Sequence, residues 1–134
     1  MKEIEGVKVK RIWEKSPRRV YIWVDPRDIR EACESLFGKG MRFVTLSAID
    51  RVEGIELLYH FSDDREGKVI TLRSMAYKPE CEIDSISLII PGALMIEREV
   101  QDLFGVKFKG HPDPRRFIIG DDFPEGEYPL RRKE

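Results

Sequence analysis

Cysteine, histidine and long apolar runs are scarce in this chain of 134 residues. The two cysteines, Cys33 and Cys81, have no CxxC spacing and no histidine close by. That pattern favours two reduced thiols in a reducing compartment over a metal or redox site. No apolar run reaches the roughly 18 residues that a membrane span requires. Charge begins at Lys2, which predicts that no signal peptide is present. We therefore expect a cytoplasmic chain unless a partner tethers it.

An excess of charge of one sign is also missing. The net charge is −1, although charged residues make up 37% of the chain, against roughly 25% in average proteins. A general nucleic-acid binder would be basic overall, whereas dense mixed charge is typical of ion-pair networks and indicates a thermophilic source. The sequence also has no GxGxxG, no phosphate-binding GxxxxGK and no GxSxG motif. The length favours one domain that is large enough to bury a core.

The pattern of the first 90 residues predicts a sheet with helices. A helix follows Asp25, which caps it, and its apolar stripe is Ile29, Ala32, Cys33, Leu36 and Phe37. Residues 85–90 fit either a short helix or a strand. Alternation predicts strands over residues 7–13, 19–24, 41–49, 54–61 and 68–75, of which the last three form an antiparallel meander. The predicted fold class is α+β: a mainly antiparallel sheet packed with two or three helices, followed by an extended C-terminal arm.

A second helix is predicted from Pro91 to Phe104, with Gly105 just past its end. Arg98 and Asp102 lie one turn apart on the side opposite the apolar stripe, flanked by Leu94 and Met95. We expect this pair to be at least partly solvated in the free domain and to be covered by a partner. The expected core stripe of the helix consists of Ala93, Ile96, Val100, Leu103 and Phe104.

Regular periodicity stops after Phe108, which predicts a domain over residues 1–109 and an arm over residues 110–134. Glycines and prolines punctuate the arm, yet apolar residues from Phe117 to Leu130 are spread through it, unlike in a disordered tail. Such a long segment without secondary structure is uncommon in a compact domain unless it has a function. We expect the arm to lie on a partner.

Three groups of residues could carry chemistry instead. Glu97, Glu99 and Asp102 could act as paired carboxylates of a free-standing hydrolase, although an ion-pair network is the more ordinary interpretation. His111 is expected to be structural, hydrogen-bonded in a turn, rather than a ligand or base. A small RNA-binding module would use exposed aromatic residues of the sheet together with basic clusters. The aromatic candidates are Tyr21, Trp23 and Tyr59, and the basic clusters lie at residues 115–116 and 131–133.

Three blocks of the last third of the chain resemble a known family. The segment from Glu97 to Val106, Glu-Arg-Glu-Val-Gln-Asp-Leu-Phe-Gly-Val, closely resembles the signature of the 30 kDa subunit of complex I, its smaller hydrophilic subunit. The Gly-His-Pro-Asp block at 110–113, followed by two arginines, matches the next block, and Pro-Leu-Arg at 129–131 resembles the third. The resemblance implies that this chain's interface residues are Leu94, Met95, Glu97, Arg98, Glu99, Asp102, Gly105, Gly110, His111, Pro112, Asp113, Arg115, Arg116, Pro129, Leu130 and Arg131.

The resemblance also implies a role. Members of the family carry no redox cofactor and no metal, and have no catalytic residues of their own. They clasp the large catalytic subunit that forms the quinone site or, in related hydrogenases, the NiFe centre, and they neighbour subunits with iron–sulfur clusters. They reach the membrane only through those partners and bind no nucleic acid. Leu94-Met95-Ile96 replaces a tryptophan that complex I relatives often have, and Pro114 replaces a leucine. These departures and the rich charge favour a ferredoxin-linked membrane-bound NiFe hydrogenase over an NADH:quinone oxidoreductase.

Overall fold

The computed structural model describes residues 9–112, with side chains from Ile12 onward. That part of the chain forms seven β-strands and two α-helices, α1 (Ile29–Gly38) and α2 (Leu94–Phe104). The predicted α+β class is confirmed, whereas most of the predicted arm lies outside the described residues. The strands are β1 (Val9–Ser16), β2 (Arg19–Val24), β3 (Arg42–Asp50), β4 (Gly54–Asp63), β5 (Lys68–Tyr77), β6 (Glu82–Asp84) and β7 (Lys107–Lys109).

Five strands form one sheet in the order β1-β2-β5-β4-β3. The meander of β3, β4 and β5 is antiparallel, as predicted. The parallel pairing of β2 with β5, from Arg19 beside Val69 to Trp23 beside Arg73, was not predicted. Alternation alone indicates a strand but not its neighbour, so this long-range pairing could not be read from the sequence. The short strands β6 and β7 form a second, parallel pair.

The α1 segment starts and packs largely as its sequence predicts. The side chain of Asp25 accepts a hydrogen bond of 2.9 Å from the backbone N–H of Arg27, which caps the 3-10 turn Pro26–Asp28 ahead of α1. The inward stripe is Ile29, Ala32, Cys33 and Leu36. The prediction for Phe37 is wrong, since its side chain is exposed. At about 100° per residue it lies at the rim of the stripe, beyond the area that the sheet covers.

The two faces of the large sheet differ. Val20, Ile22 and Val24 of β2 are buried on the face that carries the helices, and Tyr21 and Trp23 point to the opposite face. Tyr59 of β4 belongs to the helix-covered core and is fully buried, and burial raises the pKa of its hydroxyl well above the ordinary value. The expectation that Tyr59 is an exposed aromatic platform is therefore wrong.

The segment 85–90, which the sequence left open between helix and strand, is a turn. The N–H of Ile90 donates to the carbonyl of Ile86 at 2.8 Å. The N–H of Ser87 donates to the hydroxyl of Ser85 at 3.2 Å. Local bonds from serine side chains to the backbone compete with both regular structures. They explain why the apolar pattern of this segment fits neither.

Candidate subunit interface

Helix α2 carries most of the described residues of the predicted interface. The 3-10 turn Pro91–Ala93 leads into the helix, and Gly105 ends it with a φ of 75°. The N–H of Gly105 donates to the carbonyl of Gln101 at 2.9 Å. Glycine adopts this left-handed conformation at little steric cost, which makes it the usual residue past a helix end. Both predicted helix ends are thus confirmed.

The face of α2 that meets the sheet is centred on a carboxylate. Ala93, Glu97 and Val100 are buried at four- and three-residue spacing, and Glu97 has no exposed surface. Its Oε1 accepts a hydrogen bond of 2.6 Å from Ser85 Oγ, and its Oε2 accepts one of 2.9 Å from the N–H of Ile86. The carboxylate therefore fastens α2 to the turn at residues 85–90. The expected stripe is largely confirmed, because Ala93 and Val100 are buried and Ile96 and Phe104 pack against the core, whereas Leu103 is half-buried.

Burial has an electrostatic consequence at this site. It raises the pKa of Glu97, and the hydrogen bonds from Ser85 and Ile86 and the nearby His111 oppose that rise without cancelling it. The Cys33 thiol shows the same effect, since burial and then the charge of Glu97 raise its pKa well above the ordinary value. Burial thus makes ionisation of both groups less favourable than it is in water.

His111 holds the end of the described chain against the start of α2. Its Nε2 donates a hydrogen bond of 3.0 Å to the carbonyl of Leu94 and lies 3.8 Å from Oε1 of Glu97. Its own N–H donates to the carbonyl of Phe108 at 3.2 Å, closing a turn through Gly110, whose φ is 83°. The predicted hydrogen bonding of His111 in a turn is confirmed. His60 is on the other face of the sheet, between Thr71 and Ser47.

The prediction that Arg98 and Asp102 are partly solvated in the free domain is wrong. Arg98 is 8% exposed and Asp102 is 1% exposed, and both make hydrogen-bond or electrostatic contacts within the chain. They do lie on the side of α2 opposite to Ala93 and Val100, as the helical spacing requires. A helical wheel assigns a polar side to solvent by default, but here both opposite sides of the helix are buried. The helix α2 is thus buried on two opposite sides, while Met95 remains exposed near its start.

Exposed apolar side chains flank the start of this helix. Met95 is 45% exposed and Leu88, in the preceding turn, is 66% exposed, whereas Leu94 and Glu99 are half-buried and Pro112 is exposed. Leu88 was not singled out from the sequence, because the segment containing it had no clear periodicity. The other predicted interface residues, Asp113, Arg115, Arg116, Pro129, Leu130 and Arg131, lie outside the described residues.

Burial and hydrogen bonding make Glu97 inaccessible to a substrate. Both oxygens of Glu97 are engaged in hydrogen bonds, and its side chain has no exposed surface that a substrate could contact.

Between Ile12 and Pro112, no three His, Cys, Asp or Glu side chains are grouped to hold a metal ion. Cys33 and Cys81 are buried free thiols. The two described α-helices are too short to cross a membrane.

Comparison with known proteins gives one family. Residues 22–134 match the model of the respiratory-chain NADH dehydrogenase 30 kDa subunit. The chain is 31% identical over 122 residues to a subunit of the F420H2 dehydrogenase of Methanosarcina mazei, covering 87% of this chain and 76% of that protein. It is 40% identical over 74 residues to the beta subunit of the membrane-bound hydrogenase of Pyrococcus furiosus, covering 55% of this chain and 43% of that one.

Two further relatives are a C/D polypeptide and a chain of a solved membrane complex. The C/D polypeptide of the NADH-quinone oxidoreductase of Phocaeicola vulgatus is 40% identical over 99 residues, which cover 71% of this chain and 18% of that protein. A solved chain of the membrane-bound sulfane sulfur reductase, an archaeal respiratory membrane complex, matches with a TM-score of 0.81 and 27% identity. That match covers 90% of this chain and 74% of the solved one.

Proposed function

The chain belongs to the 30 kDa subunit family of the respiratory-chain NADH dehydrogenase, and from that premise we propose that it is a structural subunit of a membrane-associated, complex I-like oxidoreductase. It carries no cofactor of its own and clasps the large catalytic subunit. It touches iron–sulfur subunits and reaches the cytoplasmic side of the membrane only through its partners. The quinone or NiFe centre and the iron–sulfur clusters are on those partners.

One observation carries the proposal. The first block of the family resemblance lies in a helix that buries Glu97, Arg98 and Asp102, while apolar side chains at and just before the start of that helix face outward. Glu97 and Asp102 are buried at 0% and 1% exposure, whereas Leu88 and Met95 are open to solvent. Exposed apolar side chains are typical of contact surfaces, and an inaccessible carboxylate is not typical of a catalyst. The block therefore serves as a rigid scaffold that presents a contact surface.

The relatives favour a large subunit as the first partner. In the Phocaeicola vulgatus protein, a region like this chain makes up only part of a polypeptide whose name, C/D, joins two subunits. Joining two subunits in one polypeptide is compatible with their being neighbours. Among the complexes of this type, we favour the ferredoxin-linked NiFe hydrogenase type because of the sequence departures at Leu94-Met95-Ile96 and Pro114. Identity does not separate the two types, since the hydrogenase beta subunit and the C/D polypeptide both reach 40%.

Affinity purification of the full chain from cells that express the whole complex tests the proposal. We expect the large subunit and the iron–sulfur subunits to be retained in stoichiometric amounts through a high-salt wash. The isolated chain should be colourless and free of stoichiometric Ni, Fe or Zn by elemental analysis. A monomer that retains no partner, or a metal bound at one equivalent, would contradict the proposal.

A charge placed on the exposed apolar surface sharpens the test. Met95→Lys should reduce retention of the large subunit without changing the thermal midpoint of the isolated chain. Val44→Lys is the matched control, because Val44 of β3 is 48% exposed, close to the 45% of Met95. Equal retention of both variants would mean that the start of α2 is not in the interface.

A further inference from the structure

The face of the large sheet opposite the helices carries an open groove lined by aromatic side chains and arginines. One part, about 330 Å³, lies among Ile12, Trp13, Tyr21, Trp23 and Arg73. The adjoining part, about 460 Å³, shares Trp23 and Arg73 and extends to Arg51, Val52, Glu53, Glu56 and Met75. We call this surface the aromatic groove. It played no part in the proposed function above.

The aromatic walls of the groove are built by strand register. Trp13 of β1 is beside Tyr21 of β2, and their rings stack with centroids 5.4 Å apart. Trp23 of β2 is beside Arg73 of β5, whose guanidinium lies 5.5 Å from the Trp23 ring centroid. Trp13 remains 54% exposed despite the stack. An exposed tryptophan beside the rings of Tyr21 and Trp23 is typical of a contact surface that a ligand covers.

The charge of the groove comes from a fixed arginine pair. Glu56 is 3% exposed and accepts bonds from Arg51 Nε at 2.9 Å and from Arg73 Nε at 2.8 Å. One buried carboxylate thus holds two guanidinium groups, while the second carboxylate of the groove, Glu53, is exposed at its rim, so the four charges balance. The side chains of Arg51 and Arg73 are 45% and 25% exposed. A guanidinium has five N–H donors, so both can donate further bonds into the groove.

From this arrangement we infer that the aromatic groove binds an extended segment of another subunit of the complex, in which a carboxylate is flanked by apolar residues. The carboxylate pairs with Arg51 and Arg73, and the apolar residues pack on Trp13, Tyr21 and Trp23. Neighbouring strands are about 4.8 Å apart, so the groove crosses roughly 14 Å from β1 to β4 and takes about four residues of extended chain. The inference rests on the proposed function only in taking the segment from the same complex.

The same features disfavour the other classes of ligand. A cation that could stack on the rings would meet the two guanidinium groups. Single-stranded RNA could stack its bases on the aromatic rings, but its successive phosphates would meet a groove of balanced charge with the exposed Glu53 at the rim. The remaining N–H donors of the two guanidinium groups suit a single carboxylate, and the balanced charge does not suit a polyanion.

Photo-crosslinking in the assembled complex tests the inference. Trp13 is replaced by p-benzoylphenylalanine in the full chain, the complex is purified and irradiated, and the crosslinked peptide is identified by mass spectrometry. We expect a peptide of another subunit with Asp or Glu near an apolar residue. Phe37, which is 40% exposed on α1, is the matched control position and should not capture that peptide. A crosslink to RNA, to residues 113–134 of this chain, or to nothing would overturn the inference.

A charge variant identifies the contribution of the arginines. Arg51→Gln leaves Glu56 paired with Arg73, so the fold is preserved, and the crosslink yield should fall roughly fivefold. Arg42→Gln removes a solvent-exposed ion pair outside the groove, Arg42 with Asp64 at 3.2 Å, and should leave the yield unchanged. An unchanged yield in Arg51→Gln would overturn the role of the carboxylate. Retention of the large subunit without a crosslink at Trp13 would refute this inference alone, whereas loss of all partners would refute the proposed function as well.

Discussion

Ser85 and Glu97 are joined by a hydrogen bond of 2.6 Å, although one follows β6 and the other lies in α2. Both side chains are buried, and the N–H of Ile86 completes the set at the second carboxylate oxygen. A buried carboxylate is tolerated only where donors replace the water it has lost. The two hydrogen bonds to Glu97 therefore hold the turn at residues 85–90 against α2.

The first prediction concerns that bond. Glu97→Ala should lower the free energy of unfolding by about 1–3 kcal/mol, because the N–H of Ile86 is then buried without its acceptor. Glu99→Ala, two residues along the same helix and only half-buried, should stay within about 0.5 kcal/mol of the wild type. Urea denaturation of the isolated chain measures both. Equal losses in the two variants would show that the carboxylate of Glu97 has no special structural role.

The second prediction is a pH dependence. Burial raises the pKa of Glu97 in the folded chain above its ordinary value of 4.5. Between the unfolded and the folded pKa values, the folded state binds more protons than the unfolded state. The contribution of this group to the free energy of unfolding must therefore fall as the pH rises through that interval.

Glu97→Gln removes this titration while keeping the side-chain volume. We expect the stability of the wild type, measured relative to that of Glu97→Gln, to decrease as the pH rises from 4.5 through the folded pKa and then to level off. Urea titrations of both proteins across that range measure the difference. Two curves that stay parallel would show that Glu97 has the same pKa in the folded and unfolded chains.

The third prediction follows from the burial of Arg98. Arg98→Ala should lower the free energy of unfolding of the isolated chain by about 3–5 kcal/mol, because a buried set of charges loses one member. Arg30→Ala, at an exposed position of α1, is the control and should leave the midpoint unchanged. Thermal and urea midpoints test this directly. A variant that folds normally but fails to retain the large subunit would instead indicate that Arg98 acts at the subunit interface.

The fourth prediction concerns the end of α2. Gly105→Ala should destabilise the chain by about 1–2 kcal/mol, because the φ of 75° places a Cβ in the left-handed region. Gly38→Ala, at the end of α1, meets no atom within 4 Å of its new Cβ and has no left-handed φ. It should be neutral or slightly stabilising. Similar midpoints for the two variants would contradict the importance of this helix end.

Local signals in the sequence were sufficient for much of the fold. The cap at Asp25, the strand from Arg19 to Val24 and the end of α2 at Gly105 depend on neighbouring residues, and each was predicted correctly. Long-range relationships were not accessible in this way. The inward position of Glu97 depends on donors that are distant in sequence, Ser85 and Ile86. A carboxylate on a helical wheel looks solvated until its donors are known.

The site was predicted unevenly for the same reason. The motif residues identified the helix and the turn at His111, but not which of their side chains face solvent. The exposed Leu88 and the aromatic groove escaped notice because exposure depends on what the rest of the chain covers. Trp13 lies in β1, and Tyr21 and Trp23 lie in β2. Their common groove exists because β1, β2 and β5 lie side by side.

The parallel pairing of β2 with β5 has a consequence for biosynthesis. Arg19 pairs with Val69, so β2 leaves the ribosome about fifty residues before its neighbour, a delay of several seconds at usual translation rates. Until then β1 and β2 form an isolated hairpin, which is marginally stable in water, and the apolar side chains of Val20, Ile22 and Val24 have no sheet to complete. Nascent chains shorter than about 77 residues should accordingly remain sensitive to protease and attractive to chaperones. The native order of strands can form only after β5 has emerged, and nonlocal pairing of this kind is expected to make folding slow.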